Sequence, residues 1–105
     1  MLDKAKARQI AEEYANRVTQ VYQPKSVILF GSYVNGTPHE YSDIDIAVVF
    51  DNFEGDCLAA WANLVGIACD VDVMAGIEPH MLDETCNRSG FLDHIRETGE
   101  VIYEV

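Results

Sequence analysis

The stretch that decides the fold is FGSYVNGTPHEYSDID, residues 30–45. It contains a glycine and a serine, Gly31 and Ser32, and then, after ten intervening residues, the aspartates Asp43 and Asp45. Glycine lets the backbone turn sharply at the end of a strand and come close to a ligand. A helix that begins at Ser32 would direct its first N–H groups and the positive end of its dipole towards a phosphate. We therefore expect this turn to contact a phosphate-bearing ligand.

The two aspartates open an alternating segment, residues 43–50, in which every second position holds isoleucine, valine or phenylalanine. This pattern predicts a strand with an apolar face and an acidic end. Asp43 and Asp45 then lie on the same face, with Cβ atoms about 7 Å apart. Two carboxylates so close repel each other unless a cation neutralises them. Hard divalent ions such as Mg²⁺ take carboxylate and phosphate oxygens, and two such ions can support an in-line displacement. The pair therefore predicts a metal site.

A third carboxylate would complete such a site. Residues 70–74 alternate in the same way and predict another short strand, which carries Asp70 and Asp72 on one face. Periodicity does not choose between these two aspartates, so both are candidates.

The flanking sequence predicts a mixed α/β arrangement. Apolar residues recur at three- and four-residue steps in the N-terminal segment, as in an amphipathic helix, and proline and glycine punctuate the rest. The predicted helices cover residues 3–22, 81–85 and 91–97, and further short strands cover residues 26–30 and 101–103.

Residues 57–69 form a run of thirteen residues without a charged side chain. The run is too short to span a bilayer. A helix that is apolar on most sides is either buried or pressed against another chain. We favour burial by about two to one, and a homo-oligomer through this segment is the alternative. The cysteines Cys57, Cys69 and Cys86 form no C-x-x-C pair and are expected to be small buried residues.

Composition limits the function. The 105 residues carry a formal net charge of −11 and are 49% hydrophobic, which predicts one globular domain over residues 1–105. Without a cationic surplus, strong binding to nucleic acid or to an anionic membrane is not expected. The N-terminus has no apolar signal segment, so we expect a cytoplasmic protein. His39, His80 and His94 are isolated and show no metal-ligand spacing, so each is expected to be either a surface histidine or one with satisfied hydrogen bonds.

The Gly-Ser pair, the ten-residue spacing and the Asp-Ile-Asp triplet together resemble the signature of the minimal nucleotidyltransferases, small members of the DNA polymerase β-like superfamily. The family's third acid lies in an apolar strand, which Asp72 within its Val-Asp-Val triplet fits best and Asp70 second best. Residues 95–103 resemble the family's last helix, glycine and strand. The resemblance covers about residues 26–103.

This resemblance implies a fold and a mechanism. The fold is a two-layer polymerase β-like palm with a small mixed sheet, helices on one face and the acids on the open face. Asp43 and Asp45 would hold two Mg²⁺ ions, and Asp72 would complete the first ion's shell and help deprotonate the attacking hydroxyl. Gly31 and Ser32 would position the triphosphate of ATP.

The resemblance also implies a partner. In two-component systems of this kind, a minimal nucleotidyltransferase is the antitoxin of a helical HEPN-type RNase toxin and transfers AMP to a tyrosine on it. We expect the partner to present the acceptor, because 105 residues match the catalytic core alone. One alternative is a catalytically weak or inactive antitoxin that only binds its partner, since Asn35 stands where many relatives have arginine. Nucleotide binding without transfer is a third possibility.

Overall fold

A four-stranded mixed sheet is the centre of the structure, in a computed structural model that describes residues 4–35, 43–72, 74–86 and 90–105. In chain order the elements are α1 (Lys4–Val21), β1 (Ser26–Phe30), α2 (Ser32–Asn35), β2 (Ile44–Phe50), α3 (Cys57–Asp72), β3 (Ile77–Asp83), a 3₁₀ turn (Glu84–Cys86), α4 (Phe91–Thr98) and β4 (Glu100–Glu104).

The strand order is β3-β2-β1-β4. β1 runs antiparallel to both β2 and β4, whereas β3 runs parallel to β2. A parallel neighbour needs a crossover, which α3 provides. In this register Asp45 of β2 is paired with Phe30 at the end of β1 and with Glu78 near the start of β3. The acidic end of β2 therefore lies between the end of β1 and the beginning of β3.

One face of the sheet is covered by α1 and α3. Strand alternation turns Val27 and Leu29 of β1 towards these helices and into the main core. The two helices are joined by a buried hydrogen bond in which the Tyr14 hydroxyl donates to the Leu64 carbonyl at 3.0 Å. Burial of this hydroxyl raises the pKa of Tyr14 well above its usual range.

The opposite face is partly covered by α4. Leu92 and Ile95 of this helix pack on Ile28, Ala47 and Val49, which form a second, smaller core. The helix has a strongly one-sided apolar pattern, so it needs only one partner surface. The acid-bearing end of the same face stays accessible, since the Asp45 side chain is 25% exposed to solvent.

These elements confirm the α/β class with a small mixed sheet. The predicted N-terminal helix is α1, the strands over residues 26–30 and 43–50 are β1 and β2, and the C-terminal helix and strand are α4 and β4.

Two predicted elements are wrong. Residues 70–72 are not a strand but the last turn of α3, because the buried spacing of Ala60, Leu64 and Ala68 continues the helix to Asp72. Val73 lies outside the described residues. The segment over residues 81–85 is not a helix, because β3 extends to Asp83 and a 3₁₀ turn follows.

The preferred burial of the apolar segment is also wrong. Only Ala60, Leu64 and Ala68 of α3 are buried, whereas Leu58 and Trp61 are 73% and 46% exposed. The cysteines, expected inside, are all exposed: Cys57, Cys69 and Cys86. In the part of the chain that the structure describes, no helix is both long and apolar enough to cross a membrane.

Candidate active site

Three carboxyl groups meet where β2 and β3 begin. Glu78 is the register partner of Asp45 on the neighbouring parallel strand, so the two side chains project from the same face. The Glu78 carboxyl also hydrogen-bonds Asp43, two residues before Asp45. A backbone hydrogen bond of 2.9 Å from Ile44 N–H to the Gly76 carbonyl holds the turn before β3 against the start of β2.

Gly31 lies directly beside this acidic group. Its φ of +85° is in the left-handed region, where side chains are disfavoured. A Cβ atom at this position would overlap the Asp45 carboxylate. Gly31 thus allows both the sharp exit from β1 and the close approach of Asp45 to the backbone. Ser32 follows as the first residue of α2.

The Glu78 carboxyl lies in an unfavourable electrostatic environment. Desolvation, the hydrogen bond to Asp43 and the negative charge of Asp45 all raise the pKa of Glu78 above its usual value. The arginine and lysine ion pairs in the described part of the chain form elsewhere, with Glu12, Glu13, Glu84 and Glu100. A bound cation is the natural counter-charge for this group.

A histidine completes the cluster. His80 Nε2 lies 3.2 Å from Asp45 Oδ1, and ligand atoms of Asp45, Glu78 and His80 all lie within 4.8 Å of one another. The imidazole packs edge-on against the Phe30 ring, with ring centroids 5.0 Å apart. The hydrogen bond to Asp45 raises the pKa of His80 in spite of its partial burial. His80 is thus a hydrogen-bonded histidine, one of the two environments expected for it, but it is not isolated from the acids. His94 is exposed on α4, and His39 lies outside the described residues.

Asp45 lies beside Gly31 and Asp43 lies beside Gly76, whereas Asp72 lies at the end of α3. Asp72 ends α3, where its carboxylate accepts the Met74 N–H at 3.0 Å. Asp70 is exposed on the same helix. The group of metal-ligand atoms found among the described residues consists of Asp45, Glu78 and His80, and it includes none of Asp43, Asp70 and Asp72. Glu78 takes the position that the predicted strand assigned to the third acid.

Sequence reasoning missed Glu78 and His80 because Gly76 and Pro79 were interpreted as loop residues. Proline is tolerated in β3 because this strand lies at the edge of the sheet. The missed signal is the alternation of residues 77–82, in which glutamate and histidine occupy one set of positions and isoleucine, proline and methionine the other.

The donor set fits a divalent cation. Three carboxyl groups provide the oxygen ligands that Mg²⁺ and Mn²⁺ take. The Asp45 carboxylate occupies the space that a side chain at position 31 would fill, so it lies directly against the backbone turn. Asp43, Asp45 and Glu78 are thus able to hold such an ion.

The sequence pattern of the family described as "Nucleotidyltransferase domain" matches residues 8–101. The chain belongs to this family. Two proteins of Methanocaldococcus jannaschii, MJ1305 and MJ1379, are named as candidate protein adenylyltransferases and match parts of it. They are 38% identical over 53 residues and 43% identical over 44 residues, which is 49% and 42% of this chain. The matched segments span only 36% and 44% of these relatives' own lengths.

Solved structures share the nucleotidyltransferase fold. A crystal structure described as a nucleotidyltransferase from Sulfolobus solfataricus matches with a TM-score of 0.68 at 20% identity, over 96% of this chain and 83% of that one. A toxin-antitoxin structure with AMP-PNP matches at 0.60 and 25% identity, over 90% and 73%. A complex of MNT antitoxin with a tri-AMPylated HEPN toxin of Shewanella oneidensis matches at 0.56 and 19% identity, over 93% and 73%.

Proposed function

We propose that this nucleotidyltransferase domain transfers AMP from ATP to a hydroxyl group on a partner protein. The observation that carries the proposal is the meeting of Asp45, Glu78 and His80 beside the glycine turn at Gly31, with Asp43 hydrogen-bonded to Glu78. In a chain of the nucleotidyltransferase family, such a cluster supports a cation site next to a phosphate-binding turn. The partial matches to proteins named as candidate adenylyltransferases support AMP as the transferred group.

Each group has a defined task in this reaction. Asp43 and Asp45 hold divalent cations, one or two Mg²⁺ ions, and Gly31 with Ser32 positions the triphosphate. When bound, the cation neutralises phosphate charge and makes the acceptor hydroxyl more acidic. Glu78, next to Asp45 on the neighbouring strand, is the carboxylate placed to accept the hydroxyl proton. The acceptor oxygen then bonds to the α-phosphorus as the bond to the β-phosphate oxygen breaks and pyrophosphate leaves.

We further propose a HEPN-type toxin as the partner, which makes this domain an antitoxin. Structural neighbours include a complex whose HEPN toxin is tri-AMPylated. A tyrosine is the acceptor that the family resemblance implies.

A surface for this partner lies next to the acids. A groove of about 780 Å³ runs between α3 and β3 and is lined by the exposed Leu58 and Trp61. Glu78 and His80 line the same groove. A partner segment seated there would hold its acceptor within reach of the carboxylates, so we assign the groove to the partner rather than to a second copy of this chain.

The groove assignment is tested by binding and by oligomeric state. Trp61→Ala should weaken partner binding at least tenfold, because a large half-exposed aromatic side chain is the typical anchor of such a contact. Val21→Ser, which changes an apolar residue that is 62% exposed at the end of α1, is the control and should have no effect. If Trp61→Ala instead dissociates a dimer of this chain and leaves partner binding intact, the groove is a homo-oligomer interface.

The reaction is tested with α-labelled ATP, Mg²⁺ and the cognate HEPN-type protein. Wild type should place covalent label on the partner, and Asp43→Ala and Asp45→Ala should reduce labelling at least a hundredfold while partner binding persists. Glu97→Ala, an exposed change on α4, serves as control. If wild type binds and neutralises the partner without transfer from any nucleotide, the domain is an interaction module and the enzymatic proposal is wrong.

A further inference from the structure

His80 stands among the carboxylates at a distance typical of shared metal ligands. Its Nε2 atom and the carboxylate oxygens of Asp45 and Glu78 lie within 4.8 Å of one another. Two donors on one ion with bonds of about 2.1 Å are usually about 3 to 4 Å apart. A small change of side-chain rotamer therefore suffices to bring the ligand atoms of Asp45, Glu78 and His80 to one ion.

The backbone explains why the three groups converge. Glu78 and His80 are two residues apart on β3 and share a face, and Asp45 is the register partner of Glu78 on β2. The Phe30 ring against the imidazole fixes its plane from the side of β1. Phe91 of α4 supports this ring in turn, with centroids 6.0 Å apart. The imidazole is thus held at the cluster rather than swung into solvent.

We propose that His80 is a nitrogen ligand to the cation held by Asp45 and Glu78, and that it makes the site selective for Mn²⁺ over Mg²⁺. The inference rests on the proposed function only in placing the cation at these carboxylates. Mg²⁺ prefers oxygen ligands and octahedral water, whereas first-row transition-metal ions accept imidazole readily. A site of carboxylates alone has no comparable means of preferring Mn²⁺.

The matched variants are His80→Gln and His94→Ala. Glutamine retains a hydrogen-bond donor for Asp45 but offers no nitrogen ligand, so it separates imidazole coordination from positioning of that carboxylate. His94 is an exposed histidine on α4 and controls for nonspecific binding to imidazole. Mn²⁺ is the probe of choice because the exposed thiols Cys57, Cys69 and Cys86 would bind softer ions such as Zn²⁺.

Affinity is measured without nucleotide or partner, by the electron paramagnetic resonance signal of free Mn²⁺ and by Mg²⁺ competition. Wild type and His94→Ala should bind Mn²⁺ at least tenfold more tightly than Mg²⁺. His80→Gln should lose that preference through weaker Mn²⁺ binding, with Mg²⁺ affinity changed less than threefold. If His80→Gln weakens both ions equally or neither, His80 is not a selective ligand.

A spectroscopic signature provides an independent test. Pulsed electron paramagnetic resonance of the Mn²⁺-loaded wild type should show the ¹⁴N coupling of a coordinated imidazole, and His80→Gln should lack it. Absence of this coupling in a wild type that binds Mn²⁺ overturns the proposal. Neither measurement needs turnover, so the two proposals can fail independently. If the ¹⁴N coupling is present and AMP transfer fails, only the proposed function is wrong. If transfer with Mg²⁺ succeeds and the coupling is absent, only the role of His80 is wrong.

Discussion

At the scale of single residues, Gly31 performs a task that no other residue type could perform. Its φ of +85° ends β1 in a sharp turn, and its missing side chain leaves the room that the Asp45 carboxylate occupies. The two requirements are separate, because the positive φ concerns backbone strain and the room for the Asp45 carboxylate concerns the site. They can therefore be tested separately.

Gly31→Ala should lower the free energy of unfolding and impair metal binding. A left-handed alanine costs about 1 kcal/mol, and the overlap with Asp45 adds about 1 to 3 kcal/mol of steric strain. Gly90→Ala is the matched control, since Gly90 has a φ of +75° and open space where the Cβ would lie. Urea denaturation and Mn²⁺ titration of both variants measure the two effects. Equal loss of stability, with Mn²⁺ binding retained in both, would contradict the role given to Gly31.

The sequence predicts a shared face for Asp43 and Asp45 because their relation is local: residues two apart on a strand lie on one face. The relation of Asp45 to Glu78 is not local. It depends on the register between two parallel strands separated by a helix, and no period within the sequence encodes that register. For the same reason His80 was expected to stand alone.

At the scale of elements, Asp83 fastens the end of β3 to the loop after β2. Its carboxylate accepts N–H groups of Asn52, Phe53 and Thr85 at 3.0, 2.7 and 2.9 Å, and the Thr85 hydroxyl at 2.6 Å. These bonds, led by that of the Thr85 side chain, hold the pKa of Asp83 well below its usual range. The end of β3 that lies away from Glu78 is thus anchored to the loop after β2.

Asp83→Asn should destabilise the fold by about 1 kcal/mol at pH 7, the usual effect of losing such a local anchor. Because the folded pKa is depressed, the carboxylate stabilises the fold above the unfolded value near 3.9 and loses this effect as pH falls through the folded value. The difference between wild type and variant should therefore shrink below about pH 4 in urea denaturation. Asp51→Asn, at a nearby exposed aspartate, should change little. A difference that persists unchanged at low pH would contradict this role.

Element boundaries show where local patterns fail. The end of α1 before Pro24 and the start of β4 after Gly99 follow from residues that break helices, and both were predicted. The end of α3 was not predicted. The alternation expected of a strand is present at Asp70, Val71 and Asp72, but these residues also continue the helical spacing of α3. Packing of α3 against α1 and the sheet decides between these patterns, and that packing is a tertiary property.

At the scale of the whole molecule, the net charge of −11 opposes any further concentration of negative charge. The fold nevertheless assembles three carboxyl groups at one end of the sheet. In such a domain added NaCl weakens the repulsion between carboxylates by screening, so specific cation binding must be separated from general ionic strength. Matched NaCl solutions and charge-matched variants make this separation possible.

The central claim is that Glu78, and not Asp72, completes the cation site with Asp43 and Asp45. The measurement is the rise in melting temperature that saturating Mg²⁺ causes beyond NaCl of equal ionic strength. The melting temperatures of wild type and Asp72→Asn should both rise by about 10 °C or more, since binding at about a hundredfold excess over the dissociation constant stabilises by about 2.7 kcal/mol. Glu78→Gln and Asp45→Asn should lose most of this rise. A rise that survives Glu78→Gln and disappears in Asp72→Asn would contradict the account.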